Sequence, residues 1–148
     1  MDLQQPGKLD QGTAYGRGPQ SHEALTTEVG PGTPCGEFMR RYWQPVAVAD
    51  TVAGLPLAVC FLGEDLVLFR DKTGRPGLVH ARCCHRGTTL YYGRVEDQGI
   101  RCCYHGWLFD VDGTILETPG EPDDSPIKNS LHHGAYPALE YKGLVFAY

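Results

Sequence analysis

Arg82-Cys83-Cys84-His85-Arg86-Gly87 and Arg101-Cys102-Cys103-Tyr104-His105-Gly106-Trp107 are the two stretches around which this sequence is organised. Each puts a thiol and an imidazole on one short loop, spaced Cys-x-His, then sixteen residues, then Cys-x-x-His. Each also follows a short run of strand character, Gly77 to Arg82 before the first and Gly99 to Cys102 before the second. Gly87 and Gly106, close behind the motifs, let the backbone fold tightly and aim N–H groups inward.

Outward from these loops the pattern stays β. Leu57 to Leu62 and Leu66 to Arg70 read as strands about a turn at Gly63-Glu64-Asp65, and Val46, Val48 and Val52 alternate before them. Trp107 to Asp110 and Thr114 to Glu117 flank the hairpin signal Val111-Asp112-Gly113. Tyr136 to Tyr141 and Leu144 to Tyr148 form a last hairpin around Lys142-Gly143. A short helix is expected from Gly36 through Tyr42, with Phe38, Met39 and Tyr42 on one face. The fold class is therefore all-β, built of small antiparallel sheets. Residues 1–27 are polar and Gly- and Gln-rich at their start, and read as a flexible N-terminal leader to a domain spanning 28–148.

A chain of 148 residues suffices for one compact domain. The formal charge of −5 shows no basic face for nucleic acid. No apolar run reaches the ~20 residues of a membrane span. The N-terminus lacks the basic and apolar regions of a secretory signal, so a cytoplasmic location is expected. Six cysteines in such a compartment, four of them in two adjacent pairs, suggest metal binding over a disulfide framework.

Two thiols and two imidazoles on paired loops suit a [2Fe–2S] cluster in which Cys83 and Cys102 hold one iron and His85 and His105 the other. Exchanging two thiolates for neutral imidazoles removes charge and raises the potential. A structural zinc site is the rival reading, although zinc modules favour Cys-x2–4-Cys with His-x3–5-His. Choosing Cys84 or Cys103 as the ligand would break the symmetry of the loops. A disulfide between Cys84 and Cys103 is disfavoured by a reducing compartment. Cys35 and Cys60 read as buried apolar residues.

At these residues the sequence resembles the Rieske domain of bacterial aromatic-ring-hydroxylating, phthalate-dioxygenase-like oxygenase subunits. Cys-Cys-His-Arg-Gly is similar to the family's Cys-Pro-His-Arg-Gly, and Cys-Cys-Tyr-His-Gly-Trp to its Cys-Pro-Tyr-His-Gly-Trp, followed by Phe109 to Gly113. Gly30-Pro31-Gly32-Thr33-Pro34 and Met39-Arg40-Arg41-Tyr42-Trp43-Gln44-Pro45 resemble the family's N-terminal approach to the domain. The likeness runs from Glu28 to Tyr148, with cluster loops at about 82–107 and Arg86, Gly87, Tyr104, Gly106 and Trp107 around the ligands.

The resemblance implies a cluster-binding subdomain that passes single electrons. A flavin-linked reductase would be the donor, and a mononuclear iron in a catalytic domain of the same or a neighbouring subunit the acceptor, with the homo-oligomeric state open. That catalytic domain is expected to be absent here: His22, His80, His132 and His133 fall in no facial-triad spacing, so the chain by itself would be an oxidoreductase component that does not hydroxylate. A stand-alone Rieske-type ferredoxin is the alternative within the same chemistry. Both family prolines are cysteines here, and Thr88 and Tyr104 stand where cytochrome bc-type Rieske proteins carry a cross-loop disulfide. With Trp107 in place of those proteins' hydroxyl donor, the potential should lie near the low end of the range, about −150 mV.

Around the site, Arg82, Arg86, Arg94 and Arg101 form either a steering rim or loop braces, with Arg86 the expected brace. Trp107 is expected to pack and exclude water. Tyr91 and Tyr92 should point one inward and one outward, and Glu117 to Asp124 should be an acidic surface loop.

Overall fold

The computed structural model describes residues 23–148. The leader expected over residues 1–27 lies outside the described residues up to residue 22, and so does His22. Beyond it, Ala24–Thr27 makes one helical turn, α1. The second helix, α2, covers Pro34–Met39 rather than Gly36 to Tyr42. The cause is local: the Thr33 hydroxyl accepts from the Gly36 N–H at 3.2 Å and Pro34 sits at the first helical position, so the helix starts two residues early.

Eleven short strands follow among the described residues: β1 (Gln44–Val48), β2 (Leu57–Phe61), β3 (Glu64–Arg70), β4 (Pro76–His80), β5 (Arg94–Val95), β6 (Ile100–Arg101), β7 (Leu108–Phe109), β8 (Ile115–Glu117), β9 (Ala135–Tyr136), β10 (Ala138–Tyr141) and β11 (Leu144–Ala147). A helical turn, α3 (Ile127–Ser130), lies between β8 and β9. The pairings are antiparallel and build three sheets, ordered β1-β11-β10, β2-β3-β4-β9 and β5-β6-β7-β8. The all-β expectation holds. The turn between β2 and β3 is the two-residue Leu62-Gly63, not residues 63–65. Both residues have positive φ (47° and 78°), the mirror-type turn that matches strand twist, which frees Glu64 and Asp65 to join β3.

The run Leu66-Val67-Leu68-Phe69 has no polar position because β3 is buried on both faces. Leu66 and Leu68 join Leu78, Val145 and Val52 in one core. Val67 and Phe69 face the other way and join Val79, Leu90, Ile100, Trp107 and Phe109 in a second. Val52, expected in a strand, instead follows a 3-10 turn over Ala49–Thr51 and fills the first core. The second core supports the two cysteine loops. The 3-10 turn Leu90–Tyr92 buries Leu90 completely and leaves both Tyr91 and Tyr92 exposed, so the expected in-and-out pair is not formed. No helix among the described residues is long and apolar enough to cross a membrane.

Candidate metal centre

The two loops are copies of one hairpin design. An antiparallel bridge Arg82↔Thr89 closes the first, and the β6–β7 pair Arg101↔Leu108 closes the second. Inside the first, Cys83 N–H donates to Thr88 O (2.9 Å) and Gly87 N–H to Cys83 O (2.8 Å). Inside the second, Cys102 N–H donates to Trp107 O (2.8 Å) and Gly106 N–H to Cys102 O (3.1 Å). Gly87 and Gly106 both take left-handed backbone, φ 72° and 74°, which a side chain would strain. Arg82 and Arg101 then reach back to the carbonyls of Gly87 (3.5 Å) and Gly106 (2.7 Å). Arg86 is exposed, and the bracing falls to these two arginines instead.

This scaffold sorts the candidate ligands by depth. Cys83 and Cys102 are both buried in the second core, close enough for Cys102 to act on the Cys83 thiol. Burial pushes the Cys83 thiol up to about 11; the His85 backbone N–H opposes the rise and Cys102 adds to it. A metal must displace that proton, since the thiolate is the ligand. His85 and His105 are half-buried above, with ring centroids 4.8 Å apart. Burial, then His105 and Arg86, lower the His85 pKa against the pull of Glu121, which favours the neutral imidazole a metal requires.

Trp107, buried, stacks on His85 with centroids 4.4 Å apart and planes 3° from parallel. Its indole N–H has no acceptor within the protein. Cys84 and Cys103 are exposed free thiols beside the candidate ligands. Cys60 is also exposed and Cys35 half-buried, so neither is the buried apolar residue expected.

Among the described residues no three His, Cys, Asp or Glu side chains converge on one point as a single ion requires. What the loops present is a buried thiol pair and a separate imidazole pair. That donor set suits a group with two metal centres, one sulfur-ligated and one nitrogen-ligated, and fits a tetrahedral zinc ion poorly.

The surrounding charges are mostly committed. Glu96 accepts from Arg94 (2.6 Å) and Arg101 (2.9 Å), and Arg101 also pairs with Glu117 (2.8 Å). Hydrogen bonds from Arg101 and then Arg94 hold the Glu96 carboxyl below its ordinary value. Pro119, in the acidic loop, lies under Gly106. The sequence reading gives His133 no role beyond noting that it falls in no facial-triad spacing. It is buried, its Nε2 is 3.0 Å from His80 O, and its ring packs at 4.7 Å on Phe109. The second histidine of His132-His133, ahead of Gly134, carries no pattern that marks it as core.

Comparison with known proteins places this geometry. A family profile described as the Rieske [2Fe-2S] domain matches residues 42–135. The phenoxybenzoate dioxygenase subunit alpha of Ectopseudomonas oleovorans is 56% identical over 137 residues, covering 93% of this chain and 34% of that protein. The tert-butanol monooxygenase / tert-amyl alcohol desaturase oxygenase subunit of Aquincola tertiaricarbonis is 52% identical over 147 residues, covering 93% and 31%. The solved structure of Pseudomonas putida CBB5 NdmA with caffeine superposes with a TM-score of 0.66 at 31% identity, over 75% of this chain and 33% of that one. The chain thus spans about a third of the length of the curated relatives it matches.

Proposed function

This chain belongs to the Rieske [2Fe-2S] domain family, and from that premise we propose that Cys83 and Cys102 hold the inner iron and His85 and His105 the outer one. Residues 28–148 then form the electron-carrying domain of an oxygenase subunit, with residues 1–27 as its leader. A flavin-linked reductase would deliver electrons, and the acceptor would be a mononuclear iron centre in the remainder of such a subunit or in a neighbour. The relatives' names support the oxygenase setting over a free ferredoxin. A cytoplasmic location belongs to the same reading, since surface cysteines such as Cys60, Cys84 and Cys103 stay as thiols in a reducing compartment.

The observation that carries the reading is the sorting by depth on two matched hairpins. When bound, the cluster supplies reversible one-electron chemistry. The residues of this chain do the rest. Leu90, Ile100, Trp107 and Phe109 exclude water from the thiol side. Trp107 fixes the plane of His85, and the half-buried imidazoles offer the short route to a partner. Arg101, tied to Glu96, Glu117 and Gly106 O, keeps the second loop rigid, so that little rearranges when charge arrives.

The test is iron and acid-labile sulfide content together with an electron paramagnetic resonance spectrum of the reduced protein, on the parent and four variants. The parent, Cys84→Ser and Cys103→Ser should each carry about two irons and two sulfides, with the low average g-value of histidine ligation. Cys83→Ser and Cys102→Ser should lose that signal. Zinc in place of iron, or a cluster that survives Cys83→Ser but not Cys84→Ser, would sink the assignment.

A further inference from the structure

The first core is hollow at one end. Glu64, Leu66 and Leu68 are alternate residues of β3 and share its first-core face. Leu66 and Leu68 fill the core, while Glu64, at the strand's start, carries the row onto the wall of a cavity of about 220 Å³. Phe61, opposite Glu64 on β2, and Tyr136, opposite Leu78 on β9, line the same cavity. Ala147 and the half-exposed Tyr148, at the end of β11, complete its apolar wall. None of the lining residues belongs to the cysteine loops or to the second core.

A buried polar cluster interrupts this wall. The Tyr136 hydroxyl donates at 2.8 Å to each oxygen of the Glu64 carboxylate. Arg40 donates to Glu64 Oε1 at 2.9 Å and is pinned by the carbonyls of Val29 (3.1 Å) and Leu62 (2.6 Å). Against burial, which would raise it, hydrogen bonds from Tyr136 and then Arg40 hold the Glu64 carboxyl below its ordinary value. The carboxylate is therefore charged, and its partner Arg40 leaves the cluster without net charge. A carboxylate offers about four acceptor positions. Oε1 takes Arg40 and a share of the one Tyr136 proton, whereas Oε2 has only the other share and His80 at 3.8 Å. Oε2 keeps room for another donor.

We propose that this cavity binds a small neutral phenol, its ring against Phe61, Leu66 and Leu78 and its hydroxyl donating to the Glu64 carboxylate. Size sets the ring count. An apolar cavity of ~150 Å³ holds benzene, and drug-sized ligands occupy roughly 300 Å³ or more, so this one takes a single substituted ring. The aromatic side chains Tyr42, Phe61 and Tyr148 offer ring faces and edges to such a guest. A hydrocarbon would cover the carboxylate without giving it a partner, which a hydroxyl supplies. A carboxylate on the guest would meet Glu64, and an ammonium would meet Arg40, each desolvated with no free counter-charge. The site shares nothing with the cysteine loops, so it stands or falls apart from the function proposed above.

The probes are 4-fluorophenol, fluorobenzene and 4-fluorobenzoate, titrated into the 148-residue chain and followed by fluorine magnetic resonance. 4-Fluorophenol should bind saturably with a dissociation constant below about 1 mM. Fluorobenzene, which lacks the donor, and 4-fluorobenzoate, which brings a second carboxylate, should each bind at least about tenfold more weakly. Glu64→Gln should weaken 4-fluorophenol about fivefold and leave fluorobenzene unchanged. Tyr148→Ala, at the half-exposed rim, serves should that variant fail to fold, and should weaken both neutral probes together. Absence of saturable binding overturns the proposal, and so does fluorobenzene binding as tightly as 4-fluorophenol. Binding that neither variant alters places the probe elsewhere and overturns it too. Binding by the 148-residue chain that is lost in the gene-length polypeptide overturns it in favour of an occupant from that polypeptide.

Discussion

Gly99→Ala should destabilise the domain far more than Gly74→Ala, although both glycines have left-handed backbone, φ 75° and 93°. A Cβ on Gly74 meets nothing within 4 Å, so that variant pays the conformational penalty alone, about 1–2 kcal/mol. A Cβ on Gly99 would press into the Phe109 carbonyl group, 2.7 Å from its carbon, and lie 2.9 Å from Asp110 Cα. These are backbone atoms held by the Ile100↔Phe109 pairing, and they cannot swing aside as a side chain would. Overpacking of this kind adds about 1–3 kcal/mol, giving a total of roughly 2–5 kcal/mol. At about 3 °C per kcal/mol for a chain of this size, melting should fall by about 10 °C for Gly99→Ala and about 5 °C for Gly74→Ala. The assay is thermal unfolding followed by far-ultraviolet circular dichroism and by the visible cluster bands. Because Gly99 leads into β6, the strand that runs directly into Cys102, the visible bands should bleach before or with the fold. Two variants that melt together, or a Gly99→Ala protein within 2 °C of the parent, would refute the argument from contact geometry.

Trp107→Leu should keep the cluster but raise its midpoint potential by tens of millivolts, where about 59 mV is tenfold for one electron. Opening the buried side to water stabilises the extra negative charge of the reduced state; a potential unchanged in spectroelectrochemistry would remove the indole from that role. Arg101→Gln should speed cluster loss severalfold in a chelator challenge, whereas Arg82→Gln should do little, because its contact to Gly87 O is exposed and 3.5 Å long. Equal rates would show that the braces do not matter. Burial, with His80 and His132 adding to the effect, lowers the His133 pKa against the hydrogen bond to His80 O. The unfolded chain therefore takes up a proton near pH 6.5 that the fold refuses. Stability on this account is flat above about 6.5 and declines as pH falls from there towards the depressed folded value. Urea midpoints between pH 7.5 and 5 should show that slope, and His133→Gln should flatten it.

The chemistry was legible because it depends on spacing within each loop. Cys83, His85, Cys102 and His105 sit on turns whose glycines and flanking strand residues are themselves local signals. The Leu66-Val67-Leu68-Phe69 run could be read as strand, though not as a wall between two cores. What escaped was non-local or one residue wide. β1 pairs with β11 across nearly the whole described chain, and nothing near Pro45 announces Phe146 as its partner. The 3-10 turn that exposes both Tyr91 and Tyr92 is set by the burial of Leu90, and the Leu62-Gly63 turn by strand twist. The alignment of Pro45, Leu139 and Phe146 on one face of the β1-β11-β10 sheet appeared only once register brought three separate strands together.

The double-sided burial of β3 has a consequence for how small this machine can be made. A carrier reduced to the cysteine loops and their sheet would lose Val67, Phe69 and Val79 from beneath them, since these belong to strands that also wall the other core. There is no seam along which the two halves part, so heat or denaturant should release the metal and melt both halves in one transition. Shortening the molecule is feasible at its rim, never through its middle.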